Sequence, residues 1–404
     1  MLSRERVRRA LKHQEYDGLA IDFGAMRSTG INAIAYNALT AHLGMDKHAV
    51  LYDVFQQLAL PDIEVVERFG GDVMQVHRLC PAFGIKIDRW KEAVLQDGSK
   101  ATVPFDYDPV PSPNGGFSLL DENGDVLARM PEGGLYFDQV QHRFEQLETE
   151  NDAKSLVFPT VSEAELDFIE EQCKKLYNDT DKAILLCFGG NIFEQGQLDF
   201  GYEKFFIDLA LNKEMLHTYF TLLSDAYLVD LEKILSRVGG FIDVIQFGDD
   251  LGTQISSQIS VDMYREMIMP YHSRQYAFVR ENYPEVFVFL HSCGAISSLI
   301  PSLIEAGVQV LNPVQISAKG MDPRWLKREF GKDIVFWGGG ADMQNIVYNS
   351  GVETIKAHVN EMIDIFNSDG TGFIFTQVHN IQSGIAPEKT CAIYETARAR
   401  ASRL

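Results

Sequence analysis

The chain has 404 residues, 46% of them hydrophobic and 23% charged, an ordinary globular composition that excludes disorder, collagen and coiled coil. Its 36 basic and 57 acidic residues give a formal charge of −21, which argues against nucleic acid and against an anionic lipid surface as partners. No window approaches the roughly 18 consecutive apolar residues of a membrane span, and five scattered cysteines form no disulfide framework, so a soluble cytoplasmic protein with reduced thiols is expected.

The opening segment, MLSRERVRRALKHQEYDG, is basic but has neither an apolar stretch nor a cleavage site. It reads as an amphipathic helix with Val7, Ala10 and Leu11 inward, not as a secretory signal. Beyond it, short apolar β-rich runs recur at 18–24, 71–76, 183–188, 241–247, 286–290, 308–311, 333–337 and 373–377. They are nearly continuous in apolarity rather than alternating, as parallel strands covered on both faces require. Helical spacing fills most of the gaps: 203–238 as one long helix, then about 261–282, 296–306, 323–330, 352–367 and 387–401. Pro301, Pro323 and Pro387 suit helix first turns. No sequence repeat is present.

Eight strands alternating with helices predict a (β/α)8 barrel in preference to an open doubly wound sheet. At about 150 residues per domain the length allows two or three domains, but a barrel with an insertion accounts for 1–404 as a single domain. The insertion is residues 77–160, after the second strand. There the strand-like runs FSLL and VLARM flank Asn123-Gly124, a strong hairpin signal. The insertion is expected to be antiparallel and to roof the barrel mouth.

In such barrels the chemistry gathers where strands end. The residues just after the eight runs are unusually polar: Asp22 and Arg27; His77; Asn191 and Glu194; Asp249 and Asp250; His291 and Cys293; Asn312 and Gln315; Gly338-Gly339-Gly340 with Asp342 and Gln344; His379 and Asn380. The sharpest is FVFLHSCGAISSLI. In extended geometry His291 and Cys293 point the same way, and an imidazole with a thiolate can hold zinc. A third ligand is needed. His379, 88 residues after His291, comes close in a closed barrel, and Asp249, Asp250 and Glu194 offer oxygen. The competing reading makes Cys293 a small buried hydrophobe and His291 a hydrogen-bonded core residue.

The other positions have structural alternatives as well. Asp249 and Asp250 read equally as helix or turn caps. His77 reads better as a pocket or lid hydrogen-bonder than as a ligand. Arg27 either grips a carboxylate or pairs with Asp22. The triple glycine permits close backbone approach, by substrate or by packing, and lacks a phosphate fingerprint. Cys80, Cys173, Cys187 and Cys391 read as structural.

Several segments together resemble one family. DVIQFGDDLGTQISSQISVDMYREMIMPYH, VFLHSCGAISSLIPSLIEAGVQVLNPVQISAKGMD, LKREFG, FWGGGADMQ and GFIFTQVHNIQSGIAPE, all within about 240–400, are similar to the uroporphyrinogen decarboxylase superfamily in its corrinoid-linked methyltransferase branch. The likeness over 1–240 is looser, in ERVRRALKHQ, AIAYNALTAHLG and FIDLALN. The resemblance implies a (β/α)8 barrel and, in that branch, a zinc held by an H-x-C element and a cysteine near the last strand. His291 and Cys293 match the element; His379 stands where the last cysteine would be.

The implied activity is zinc-dependent methyl transfer between a small methylated substrate or a thiol and a corrinoid on a partner protein, since this chain shows no D-x-H-x-x-G corrinoid motif. A single thiolate leaves zinc more electrophilic and favours a methyl ether as donor. Asp249, Asp250, Glu194 and His77 are candidates for the acid. Arg27, Asn312, Gln315, Gln344 and Asn380 are candidates for substrate binding. By analogy alone, a homodimer is expected. Two alternatives stay open: a metal-free decarboxylase-like lyase, although FGAMRSTGI holds one arginine for a substrate with many carboxylates, and a non-catalytic protein that binds a tetrapyrrole or corrinoid.

Overall fold

The computed structural model describes residues 1–401. Eight short strands occupy its centre: β1 (Ala20–Ile21), β2 (Val73–Val76), β3 (Ala183–Gly189), β4 (Val244–Gly248), β5 (Phe287–His291), β6 (Val310–Asn312), β7 (Val335–Trp337) and β8 (Phe373–Phe375). All eight apolar runs contain strands, most of them starting later than the run and four ending one residue beyond it. They pair in parallel in the order β1-β8-β7-β6-β5-β4-β3-β2. The seam between β1 and β2 is bridged at Asp72. Its backbone N–H donates to the Ile21 carbonyl at 2.7 Å, and its carboxylate accepts the Ile21 N–H at 3.0 Å. With helices between the strands, the architecture is a (β/α)8 barrel.

The same polar device recurs below alternate strands. Asp243, just before β4, accepts the Ile184 N–H at 2.8 Å, and Gln309, before β6, accepts the Val288 N–H at 3.0 Å. Each satisfies a backbone donor that the stagger of a barrel leaves at its rim. Helix α1 (Ser3–Leu11) lies across this end. Val7, Ala10 and Leu11 are buried with the interior side chains of the strands, while Arg6 pairs with Asp72 and Arg8 with Asp243. The basic N-terminal segment is therefore a plug held by two buried carboxylates.

Inside, polarity changes with height. Val73, Leu185, Val244, Phe289 and Val310 belong to the apolar interior cluster. Two residues further along the same strands stand Gln75, Cys187, Gln246, His291 and Asn312. Because alternate residues share a face, a greasy lower layer gives way to a polar upper layer at the C-terminal ends.

Helix bounds differ from the sequence reading in three places. The expected 203–238 helix is two, Tyr202–Leu211 and Lys213–Val238. Asn212 leaves the helical region between them, its amide bonding Asp208 at 2.6 Å. The 261–282 helix contains a π turn, Tyr264–Ile268, just before Pro270, whose missing N–H breaks the ladder. The 296–306 helix starts only at Ile300, with Pro301 in its first turn. Between β2 and β3 the chain forms antiparallel pairs, Trp90–Val94 with Lys100–Pro104, and Phe117–Leu120 with Val126–Met130. Lys100–Pro104 also runs beside Ala49–Asp53 from the stretch between β1 and β2, so these strands join the barrel's own loops. No helix among the described residues is long and apolar enough to cross a membrane.

Asp72 serves three elements at once, which makes it a sensitive point. Asp72→Ala removes the ion pair with Arg6 and leaves the Ile21 N–H without its carboxylate acceptor, and is expected to lower stability by about 2–3 kcal/mol, as read from urea unfolding followed by circular dichroism.

Candidate metal centre

The end of β5 delivers two groups to one point. His291 is its last residue, and Cys293 Sγ lies 3.4 Å from His291 Nε2. The imidazole is not left to rotate: Asn312, at the end of β6, accepts the His291 Nδ1–H on its Oδ1 at 2.7 Å and donates its own amide N–H to the Trp337 carbonyl. With Nδ1 engaged, Nε2 is the nitrogen turned to the cysteine, the arrangement by which a second group fixes a metal-binding tautomer. The Cys293 N–H donates to Asp250 Oδ1 at 2.7 Å and the Gly294 N–H to Gln315 Oε1 at 2.7 Å, so the loop carrying the sulfur is held from both sides.

His379 comes from the loop after β8. Its backbone takes a left-handed φ of 60°, a conformation costly for a residue with a Cβ. Its ring centroid lies 5.9 Å from that of His291. One donor atom each from His291, Cys293 and His379 fall within 4.8 Å of one another. Burial, with His291 adding to it, pushes His379 down to about 4, so it is a neutral imidazole with a lone pair to give. Burial, then the charges of Asp250 and Glu194, raises the Cys293 thiol well above its usual range. Two imidazoles and one sulfur at this spacing fit zinc, which takes such mixed donors at about 2.0–2.3 Å after a small contraction.

The acidic candidates divide. Asp249 is fully buried and caps the helix Phe193–Phe200: its two oxygens accept from the N–H groups of Ile192, Phe193 and Glu194 at 2.8–2.9 Å. Its fourth partner is His272 Nε2 at 2.7 Å, and Tyr264 bonds the other nitrogen of that ring. Asp249 thus acts as a cap, one of the two roles that its sequence position left open. Asp250 instead faces the site, 3.5 Å from His291 Nε2. Glu194, the residue Asp249 fixes in place, bonds Asn191 at 2.7 Å, and burial with the charges of Asp250 and Asp249 holds its carboxyl well above the usual range.

Other assignments shift too. Arg27 pairs with Asp53 and the Pro81 carbonyl, not with Asp22, whose carboxylate accepts instead from Ala25, Thr29 and Trp337. Asn312, a candidate for substrate binding, is engaged by His291 and the Trp337 carbonyl. Asn380 reaches the pocket wall, but its amide is taken by Gly30 N–H and Gln56. His77 is buried against Tyr52, with ring centroids 4.3 Å apart. In the triple glycine, a Cβ on Gly340 would sit 2.3 Å from the Phe375 ring, so that position serves packing.

Cys293 and His379 open onto a cavity of about 630 Å³, which Gln315, Gln344 and Asn380 also line. Its wall includes Tyr136, Gln254, Gln382, Met343 and Tyr348, which sequence reasoning did not single out. Tyr136 arrives from the stretch between β2 and β3 and accepts from Gln382 at 2.6 Å. Gln382 lies in the quoted HNIQ segment, a usable signal; Tyr136 has none. Among the described residues, no lysine or arginine lines this cavity.

Asp249→Ala orphans three backbone N–H groups and a buried imidazole. A loss of roughly 3–5 kcal/mol is expected, with Asp249→Asn recovering part of it, as measured by chemical denaturation.

No curated protein matches the chain in sequence. Among solved structures, the catalytic domain of a glycoside hydrolase family 53 enzyme from Ignisphaera aggregans is similar at 9% identity, covering 95% of this chain and 99% of that one with a TM-score of 0.42. Xylanase B from Clostridium stercorarium F9 is similar at 11% identity, covering 58% and 84% with a TM-score of 0.35. The uroporphyrinogen decarboxylase (URO-D) family model matches residues 145–400, which hold β3 to β8 and every residue of the triad. More than half of the chain lies within that match, and the chain belongs to the uroporphyrinogen decarboxylase family.

Proposed function

We propose that the protein is a zinc-dependent methyltransferase of this family, moving a methyl group between a small methylated substrate, or a thiol, and a corrinoid on a partner protein. The observation that carries the reading is the convergence of His291, Cys293 and His379 within 4.8 Å at the wall of a cavity of about 630 Å³. Zinc held there would supply Lewis acidity to the heteroatom that bears or receives the methyl group.

The chain's own residues do the rest. Asn312 keeps His291 Nε2 pointed at the site, and Asp250 with Gln315 fixes the loop that carries the sulfur. Burial and the charges of Asp250 and Asp249 hold the Glu194 carboxyl above its usual range, which favours Glu194 as the acid for a leaving heteroatom. The glutamines and tyrosines of the cavity wall orient the substrate through neutral hydrogen bonds. A cavity without lysine or arginine suits a small uncharged molecule and ill suits a porphyrinogen with many carboxylates, and Arg27 is already paired. That contrast favours methyl transfer over the decarboxylase-like reading.

Metal analysis of the purified full chain is expected to give about one zinc per chain, and Cys293→Ala should lose it with the fold intact by circular dichroism. Zinc-free protein that is nonetheless active would overturn the reading. Asn312→Leu is expected to weaken zinc binding about 10- to 100-fold, measured by competition with a chromogenic chelator, while the unfolding midpoint of the metal-free protein stays within a few degrees.

A further inference from the structure

The β2–β4 side of the barrel mouth holds a group of polar side chains that the metal reading leaves unused. Tyr52, Gln75, His77 and Gln246 are each more than nine-tenths buried. The Tyr52 hydroxyl, Gln75 Oε1, both ring nitrogens of His77 and Gln246 Oε1 have no hydrogen-bond partner. Unpaired buried polar atoms are costly, and several in one place call for a partner that is not protein.

These groups face one another. The Tyr52 and His77 rings meet at a tilt of 52° with centroids 4.3 Å apart, Gln75 shares a strand face with His77, and Cys187, which Gln75 bonds, is the register partner of Gln246 on β4. Gln246 reaches Ser28 at 3.4 Å, and the Arg27 charge is felt by Tyr52, His77 and Cys187 alike.

The charge of the region is already balanced. Arg27 is met by Asp53, and Arg78, the other nearby cation, by Glu165. Burial pushes His77 down to about 3 and keeps it neutral; it also raises the Cys187 thiol. What remains on offer is a set of neutral donors and acceptors: a phenol, an imidazole and two amides.

We propose that Tyr52, Gln75, His77 and Gln246 form a subsite for the non-reacting part of the substrate, and that this part is uncharged and carries hydroxyl or amide groups rather than a carboxylate. The inference rests on the methyl-transfer reading only for where the reacting group lies. A carboxylate entering here would meet no free cation, whereas a hydroxyl or amide can both donate to a glutamine oxygen and accept from Tyr52 or His77.

Benzyl alcohol, benzamide and benzoate share one skeleton and differ in this group. Their binding to the full chain can be followed by saturation-transfer difference NMR, in wild type, Cys293→Ala, Tyr52→Phe, His77→Phe and Gln246→Leu. The two neutral probes are expected to bind wild type and Cys293→Ala alike, and at least tenfold more tightly than benzoate. Tyr52→Phe, which removes only the hydroxyl, and either of the other two variants should each weaken them about three- to tenfold. Benzoate binding as tightly as the neutral probes, or neutral binding unchanged in folded Tyr52→Phe and Gln246→Leu, overturns the proposal. Neutral binding without zinc in the wild type would retain the subsite and reject the metal; zinc without neutral binding would do the reverse.

Discussion

The closure of the parallel sheet is the constraint on which everything at the barrel mouth depends. β1 is only two residues long, yet it pairs with β8 through Ala20↔Ile374 and Ile21↔Phe375 and is tied to β2 through Asp72. Closure is what brings the loop after β8 back to the end of β5, so that His379 meets His291 and Cys293 across a long sequence gap. An open sheet with the same strands would leave these loops apart. The N-terminal helix shares in this work, since Arg6 and Arg8 bind the carboxylates beneath β2 and β4. The basic character of the opening segment is thus explained by the barrel floor.

Above that floor the site is held by hydrogen bonds that leave little freedom to its principal groups. Asn312 fixes the His291 ring, Asp250 and Gln315 fix the loop of Cys293, and Asp249 with His272 fixes the helix that begins at Phe193 and carries Glu194. Such support keeps donor atoms preorganised, so that little reordering is needed when a cation or substrate arrives. The left-handed backbone at His379 belongs to the same logic: a local cost, accepted where the side chain must reach the site.

Much of this was legible in the sequence. Eight nearly continuous apolar runs marked the strands because a strand covered on both faces has little room for polar residues. His291 and Cys293 were legible because a period of two places both on one side. His379 was found through its position after the last run. The roles of Asp249 and Asn312 were not legible: whether a carboxylate caps a helix or faces a substrate depends on which neighbour's N–H groups it meets, and those come from another strand's loop. The ion pair of Arg27 was hidden for the same reason: Asp22 was one of two readings for it, and its partner Asp53 lies on a strand outside the apolar rhythm. Gln75 and Gln246 could have been noticed, as single amides within otherwise apolar strands, but only the fold puts them beside Tyr52.

The central claim is that two imidazoles and one sulfur hold a single zinc. Zinc K-edge X-ray absorption on the purified protein tests it most directly. The account predicts one sulfur scatterer near about 2.3 Å and two imidazole nitrogens near about 2.0 Å, with light atoms completing the shell. A spectrum with no sulfur in the first shell, or protein that takes up no zinc at all, would contradict it.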